Sequence, residues 1–231
     1  MDIGAHAGDD TRFYLDKGFA VVAVEANPVL ASEMRQRFSD DIEKGLLTIE
    51  PCAIGSTDGS MTFSVHKTQS LFSSLTPNFE LRPEDEFDKI EVKCVSAASI
   101  FRRHGTPHYL KIDIEGGELA VISALQDFEK PKFVSIEVSG DIEECVRLLI
   151  SFGYDRFKIV DQSLNETLAC PFPPREGRFV NTQFSAHMSG LFGRETAGHW
   201  ITDDQIVTAV RNIDWRFQRW YDLHAATSQT I

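Results

Sequence analysis

Residues 1–28, MDIGAHAGDDTRFYLDKGFAVVAVEANP, decide how the rest of the chain is read. A short strand-like start, a turn built on Gly4 and Gly8, a helical stretch and a second apolar run closed by Glu25 describe one strand–helix–strand unit. Glycines in the first turn let backbone amides approach a ligand, and the helix behind them offers its positive end. Asp10 is read as the helix cap and Gly18 as its stop. Only three residues precede Gly4, so the first strand is expected to be short or truncated.

With 231 residues and 42% hydrophobic content, the chain can bury one sizeable core. Its net charge of -12 argues against nucleic acid and anionic membrane as partners, because both need clustered Lys and Arg. Small or neutral partners suit it better, with homo-oligomerisation left open. Cys52, Cys94, Cys145 and Cys170 show no C-x-x-C spacing and read as reduced thiols. Neither a membrane-spanning run nor a signal peptide is visible, so a cytoplasmic protein is expected. Asp113 and Glu115 are too few to demand a metal, and none is expected.

Up to about residue 160, apolar runs alternate with helical periodicity, the pattern of a mostly parallel sheet with helices on both faces. Asn27 and Pro28 fit the cap and first turn of a helix whose Leu30, Met34 and Phe38 share one face. The segment LLTIEPCAIGSTDGSMTFSVH reads as a hairpin, and KTQSLFSSLTPN as a mobile loop. Strands are expected in IEVKCVS, HYLKIDI, KFVSIEV and RFKIVDQ, with FVNTQFS as one more. A final helix from about Asp203 is expected to carry Ile206, Val210, Ile213 and Phe217 on one face, with Trp215, Trp220 and Tyr221 beside it. Residues 1–185 are read as the main domain and 186–231 as a helical extension packed upon it.

In such folds ligands sit at the carboxyl ends of strands. Glu25 closes its strand 17 residues after Gly8, where an acid binds both hydroxyls of a ribose. In LKIDIEGGE, Lys111, Asp113 and Glu115 fall on one face of a strand that should be buried on both. A structural ion pair between Lys111 and Asp113 accounts for part of that, with Glu115 and Glu118 favouring a helix start. A dinucleotide site wants a third glycine and no acid facing the pyrophosphate, whereas Asp2, Asp9 and Asp10 ring this turn. A cationic nucleoside, S-adenosylmethionine, fits better.

DIGAHAGDDT, VVAVEANP, PCAIGSTDGSMTFSV and YLKIDIEGGELAVISAL, in that order, resemble the successive motifs of FkbM-type S-adenosylmethionine-dependent methyltransferases over residues 2 to about 140. The resemblance implies a Rossmann-like class I methyltransferase fold, a seven-stranded sheet with an antiparallel last strand, and O-methylation of a sugar or natural-product hydroxyl. By motif, Asp2, Gly4 and Gly8 would line the methionine end, with His6 beside them. Glu25, Ala26 and Asn27 would hold ribose and adenosine, Cys52 and Ala53 would flank the adenine, and Asp113 would face the methyl. Asp113 is the candidate for orienting or deprotonating the acceptor, with Lys111 tuning its charge and Glu115 touching substrate. Ser70, Ser73 and Ser74 are candidates for the acceptor pocket, and His66, His187 and His199 are weaker candidates for a base. The family usually has asparagine where His6 stands, and an acid where this chain has Ala97 and Ala98. An NAD-dependent oxidoreductase and an inactive methyltransferase-like binding module are the alternatives.

Overall fold

A computed structural model of the chain describes residues 1–77, 83–138, 140–213 and 220–231. It begins with β1 (Asp2–Ile3), α1 (Asp9–Asp16), β2 (Val21–Val24), α2 (Pro28–Arg37), α3 (Ser39–Glu43) and β3 (Leu47–Glu50). Next come β4 (Ala53–Gly55), β5 (Gly59–His66), β6 (Phe87–Ser96), α4 (Ala97–His104) and β7 (Tyr109–Ile112). The chain ends with α5 (Glu118–Ala124), β8 (Phe133–Glu137), α6 (Ile142–Ser151), β9 (Arg156–Asp161), α7 (Asp203–Arg211) and β10 (Tyr221–Ala226).

Seven strands form one sheet in the order β3-β2-β1-β7-β8-β10-β9. All neighbours are parallel except β10, which runs antiparallel to β8 and β9. This is the mostly parallel, Rossmann-like sheet the motifs imply. One face is closed by α4, α5, α6 and α7, whose Phe101, Ile122, Val146 and Ile206 share a core with Ile3, Ile112 and Ile136. On the other face α1 and α2 bring Phe13, Tyr14 and Met34 together with Phe184 and Phe192 from the C-terminal segment.

Local chemistry explains the element ends. Asn27 caps α2, its side chain accepting from Val29 N at 3.0 Å, and Pro28 fills the first turn where no donor is needed. Gly18 has φ 91 and stops α1 as expected. The cap of α1, however, is Gly8 and not Asp10. Asp10 lies inside the first turn, buried, and its carboxylate accepts from Ser189 N at 3.0 Å.

The expected hairpin is not formed. β4 and β5 flank β6 in a separate three-stranded sheet, β4 parallel and β5 antiparallel to it. The ten-residue β6 offers both of its edges, so the STDG turn carries the chain across it instead of back on itself. Residues 179–185 form no strand. The missing strand of the sheet is β10, so the boundary expected near residue 185 does not coincide with the limit of the sheet. Tyr221 therefore opens a strand and does not extend the helix, while Ile206 and Val210 of α7 lie in the core. Trp215 and Phe217 lie outside the described residues.

The C-terminal segment is tied down by charge as well as by aromatic packing. Lys17 Nζ, just past α1, meets Glu195 Oε2 at 2.7 Å with both side chains wholly buried. Glu195 also accepts from Arg175 N at 2.9 Å and Glu176 N at 3.1 Å. Lys17→Met strands that carboxylate and is expected to lower unfolding stability by about 3–5 kcal/mol. A double variant with Glu195→Leu should recover part of the loss in urea titration. A single-variant loss below about 1 kcal/mol would show the pair to be solvent-screened.

Candidate active site

The carboxyl ends of β1, β2 and β7 open onto a cavity of about 240 Å³, closed on its far side by the accessory sheet. Gly4, His6, Glu25 and Ala26 line it from the first unit, Cys52 and Ala53 from the chain after β3, and Asp113 and Glu115 from the chain after β7. Asp2, Gly8, Asn27 and Lys111 do not line it; they stand behind its wall.

The two glycines of the first turn answer different constraints. Gly4, φ 83, passes so close to β7 that a Cβ there would lie 1.7 Å from the carbonyl oxygen of Asp113. Gly8, φ 84, is pressed by α2, where a Cβ would lie 2.7 Å from the ring of Phe38. The first glycine joins two strand ends, and the second seats a helix.

Glu25 is buried at the end of β2, and its carboxylate is held from two sides. His6 N donates to Oε2 and Asn27 N to Oε1, each at 2.7 Å. Asn27 thus serves the site through its backbone. Burial pushes the Glu25 carboxyl up to about 7, against the pull of these two amides. Each oxygen keeps a further lone pair for a hydroxyl donor in the cavity.

Behind the wall, Lys111 Nζ sits among three carboxylates: Asp10 at 3.2 Å, Asp2 at 3.4 Å and Asp113 at 3.4 Å. Burial works against its charge, but Asp2, Asp10 and Asp113 outweigh that and hold its pKa well above the usual lysine value. Asp2 also accepts from Thr11 Oγ1 at 2.6 Å, which leaves it a support for the turn. The ion pair of Lys111 with Asp113 is present, within a larger network than the sequence suggested. Glu137 and Asp222, cross-strand partners at the same sheet edge, were not singled out from the sequence. Burial, then the nearby Asp113 charge, pushes both carboxyls well above their usual range.

The serine-rich stretch lies against the cavity through Ser70, Ser73 and Ser74, together with Leu71 and Leu75, which sequence reasoning passed over. Met61 and Phe63 of β5 also line it, and their alternate spacing in GSMTFSVH was the available signal. His66 instead meets Glu86 at 3.2 Å, and neither it nor His187 or His199 lines the cavity. Among the described residues no group of three or more His, Cys, Asp or Glu is arranged to hold a metal. No helix there is long and apolar enough to cross a membrane.

No curated protein matches the chain. Among solved structures it is similar to a methyltransferase FkbM from Methylobacillus flagellatus KT, at 19% identity and TM-score 0.46, over 69% of this chain and 38% of that one. It is also similar to a precorrin-6y C5,15-methyltransferase from Geobacter metallireducens GS-15, at 13% identity and TM-score 0.39, over 98% of this chain and 78% of that one. The model of the methyltransferase FkbM domain matches residues 2–166, the stretch that builds the cavity and every wall described above. The chain belongs to the FkbM methyltransferase family.

Proposed function

We propose that this chain transfers a methyl group from S-adenosylmethionine to a hydroxyl oxygen of a sugar or small natural-product-like acceptor. The observation that carries the reading is the buried Glu25 carboxylate, facing a cavity whose described lining holds Asp113 and Glu115 but no lysine or arginine. Such a lining suits a ribose diol on a nucleoside that bears cations, and repels the pyrophosphate of a dinucleotide. Ala26, Cys52 and Ala53 form the apolar side against which an adenine would lie.

When bound, S-adenosylmethionine supplies an electrophilic methyl, and transfer forms a carbon–oxygen bond as the carbon–sulfur bond breaks. Asp113 orients the acceptor hydroxyl and takes its proton as the oxygen attacks. Lys111, 3.4 Å behind it, fixes that carboxylate and tempers its charge without entering the cavity. Glu115 contacts the acceptor from the turn that follows.

Calorimetric titration with S-adenosylhomocysteine tests the reading. Folded wild-type protein is expected to bind, and Glu25→Ala to weaken binding about tenfold or more, since it removes a charged acceptor for two hydroxyls. Asp113→Ala is expected to change affinity far less. A melting-temperature shift with NAD and none with S-adenosylhomocysteine would replace the methyltransferase by an oxidoreductase.

The raised Glu25 carboxyl gives a pH signature. With a folded value of about 7 above an ordinary 4.5, its contribution to stability is full below the ordinary value and is lost as pH rises through 7. Between pH 5 and 8 the wild type should therefore lose about 2 kcal/mol relative to Glu25→Gln, which mimics the neutral form. Urea titrations of both proteins across that range check it, and a constant gap would return Glu25 to the ordinary carboxylate range.

A further inference from the structure

Residues 67–77 leave the accessory sheet after β5 and pass beside the turn that follows β7, with Ser70, Leu71, Ser74 and Thr76 against the cavity. The strap is seated on its own sheet by a reciprocal pair, Ser64 N to Ser74 O at 2.9 Å and Ser74 N to Ser64 O at 3.0 Å. Its contact with the main sheet is more specific. Among the described residues, two that are not glycine have positive φ, His6 at 50 and Glu115 at 53. That conformation is rarely adopted by a residue with a Cβ, and both residues line the cavity.

Each of these two turns holds one serine of the strap. His6 Nε2 lies 2.7 Å from Ser70 Oγ, and Ser74 Oγ donates to the carbonyl oxygen of Glu115 at 2.6 Å. Gly116, the next residue, meets Thr76 so closely that a Cβ there would lie 2.7 Å from Thr76 Oγ1. The unusual backbone at the ends of β1 and β7 thus coincides with the points where the strap is fastened.

We propose that His6 with Ser70, and the Glu115 carbonyl with Ser74, are positioning pairs that fasten the 67–77 strap as the outer wall of the cofactor cavity and set how fast the nucleoside leaves. His6 acts through Ser70 and not on the reacting atoms. The nucleoside's identity rests on the function proposed above; the fastening itself does not.

The test uses the full chain with Ser70→Ala, His6→Ala, the double variant, and Ser70→Thr, which keeps the hydroxyl. Amide hydrogen exchange without ligand is expected to rise in residues 67–77 for each single alanine variant, and no further in the double. Stopped-flow displacement should show S-adenosylhomocysteine leaving about threefold to tenfold faster from each single variant and equally fast from the double. Ser70→Thr is expected to stay within about twofold of wild type. Unchanged strap exchange in the alanine variants overturns the proposal, as do effects of His6→Ala and Ser70→Ala that add in the double. Absence of S-adenosylhomocysteine binding by wild type removes the nucleoside instead, and the exchange measurement then decides the fastening by itself.

Discussion

The ammonium of Lys111 is the point on which the architecture of the site depends. It rises from the middle of the sheet between the ends of β1 and β7 and meets Asp2, Asp10 and Asp113 within 3.4 Å. Three carboxylates on three different elements cannot be brought this close out of water without a cation between them. Burial pushes Asp10 up to about 6 even against the attraction of Lys111. Through Asp2 the same ammonium supports the glycine turn, and through Asp113 it fixes a carboxylate that faces the cavity.

Lys111 is also one member of a polar row running across one face of the sheet. Register pairs Asp2 with Lys111, Lys111 with Ser135, Ser135 with His224, and His224 with Lys158, and all five are buried. Lys158 finds its partners above the sheet, and Ser135 finds one within it, on β7. Lys158 Nζ donates to Thr196 O at 2.7 Å and lies over the ring of Trp200, and Ser135 shares a 2.6 Å hydrogen bond with Tyr109. Asp10 and Lys17 reach the same C-terminal segment at Ser189 and Glu195. Burial holds the His224 imidazole down to about 3, so it is neutral in the core. Residues 184–200 thus supply polar partners to Lys158, Asp10 and Lys17, which explains why this long segment without regular strands stays packed.

Much of this was legible from the chain. Glycines at 4 and 8, the acid at 25 and the charged run from Lys111 to Glu115 located the strand ends that form the cavity, because those residue types conflict with burial unless a ligand or partner is near. Caps and stops were legible where local geometry decides them, as at Asn27 and Gly18. Asp10 was misread because an acid beside a helix start satisfies the capping pattern equally well when its real partners are Lys111 and Ser189, far away in sequence. β10 escaped because Asp222 and His224 are buried, so the strand lacks the continuous apolar run expected at a sheet interior.

The sequence by itself determined the strand–helix periodicity, the family motifs and the charge character of the cavity, since these reside in neighbours along the chain. Only the tertiary structure decided that β6 parts β4 from β5, that β10 enters between β8 and β9, and that His6 meets Ser70. Each of these joins residues far apart in sequence, where a strand edge or a hydroxyl can pair with many equivalent partners. The choice among them is made by the closure of the whole core, because a slip of register would turn each strand's buried side chains to the wrong face.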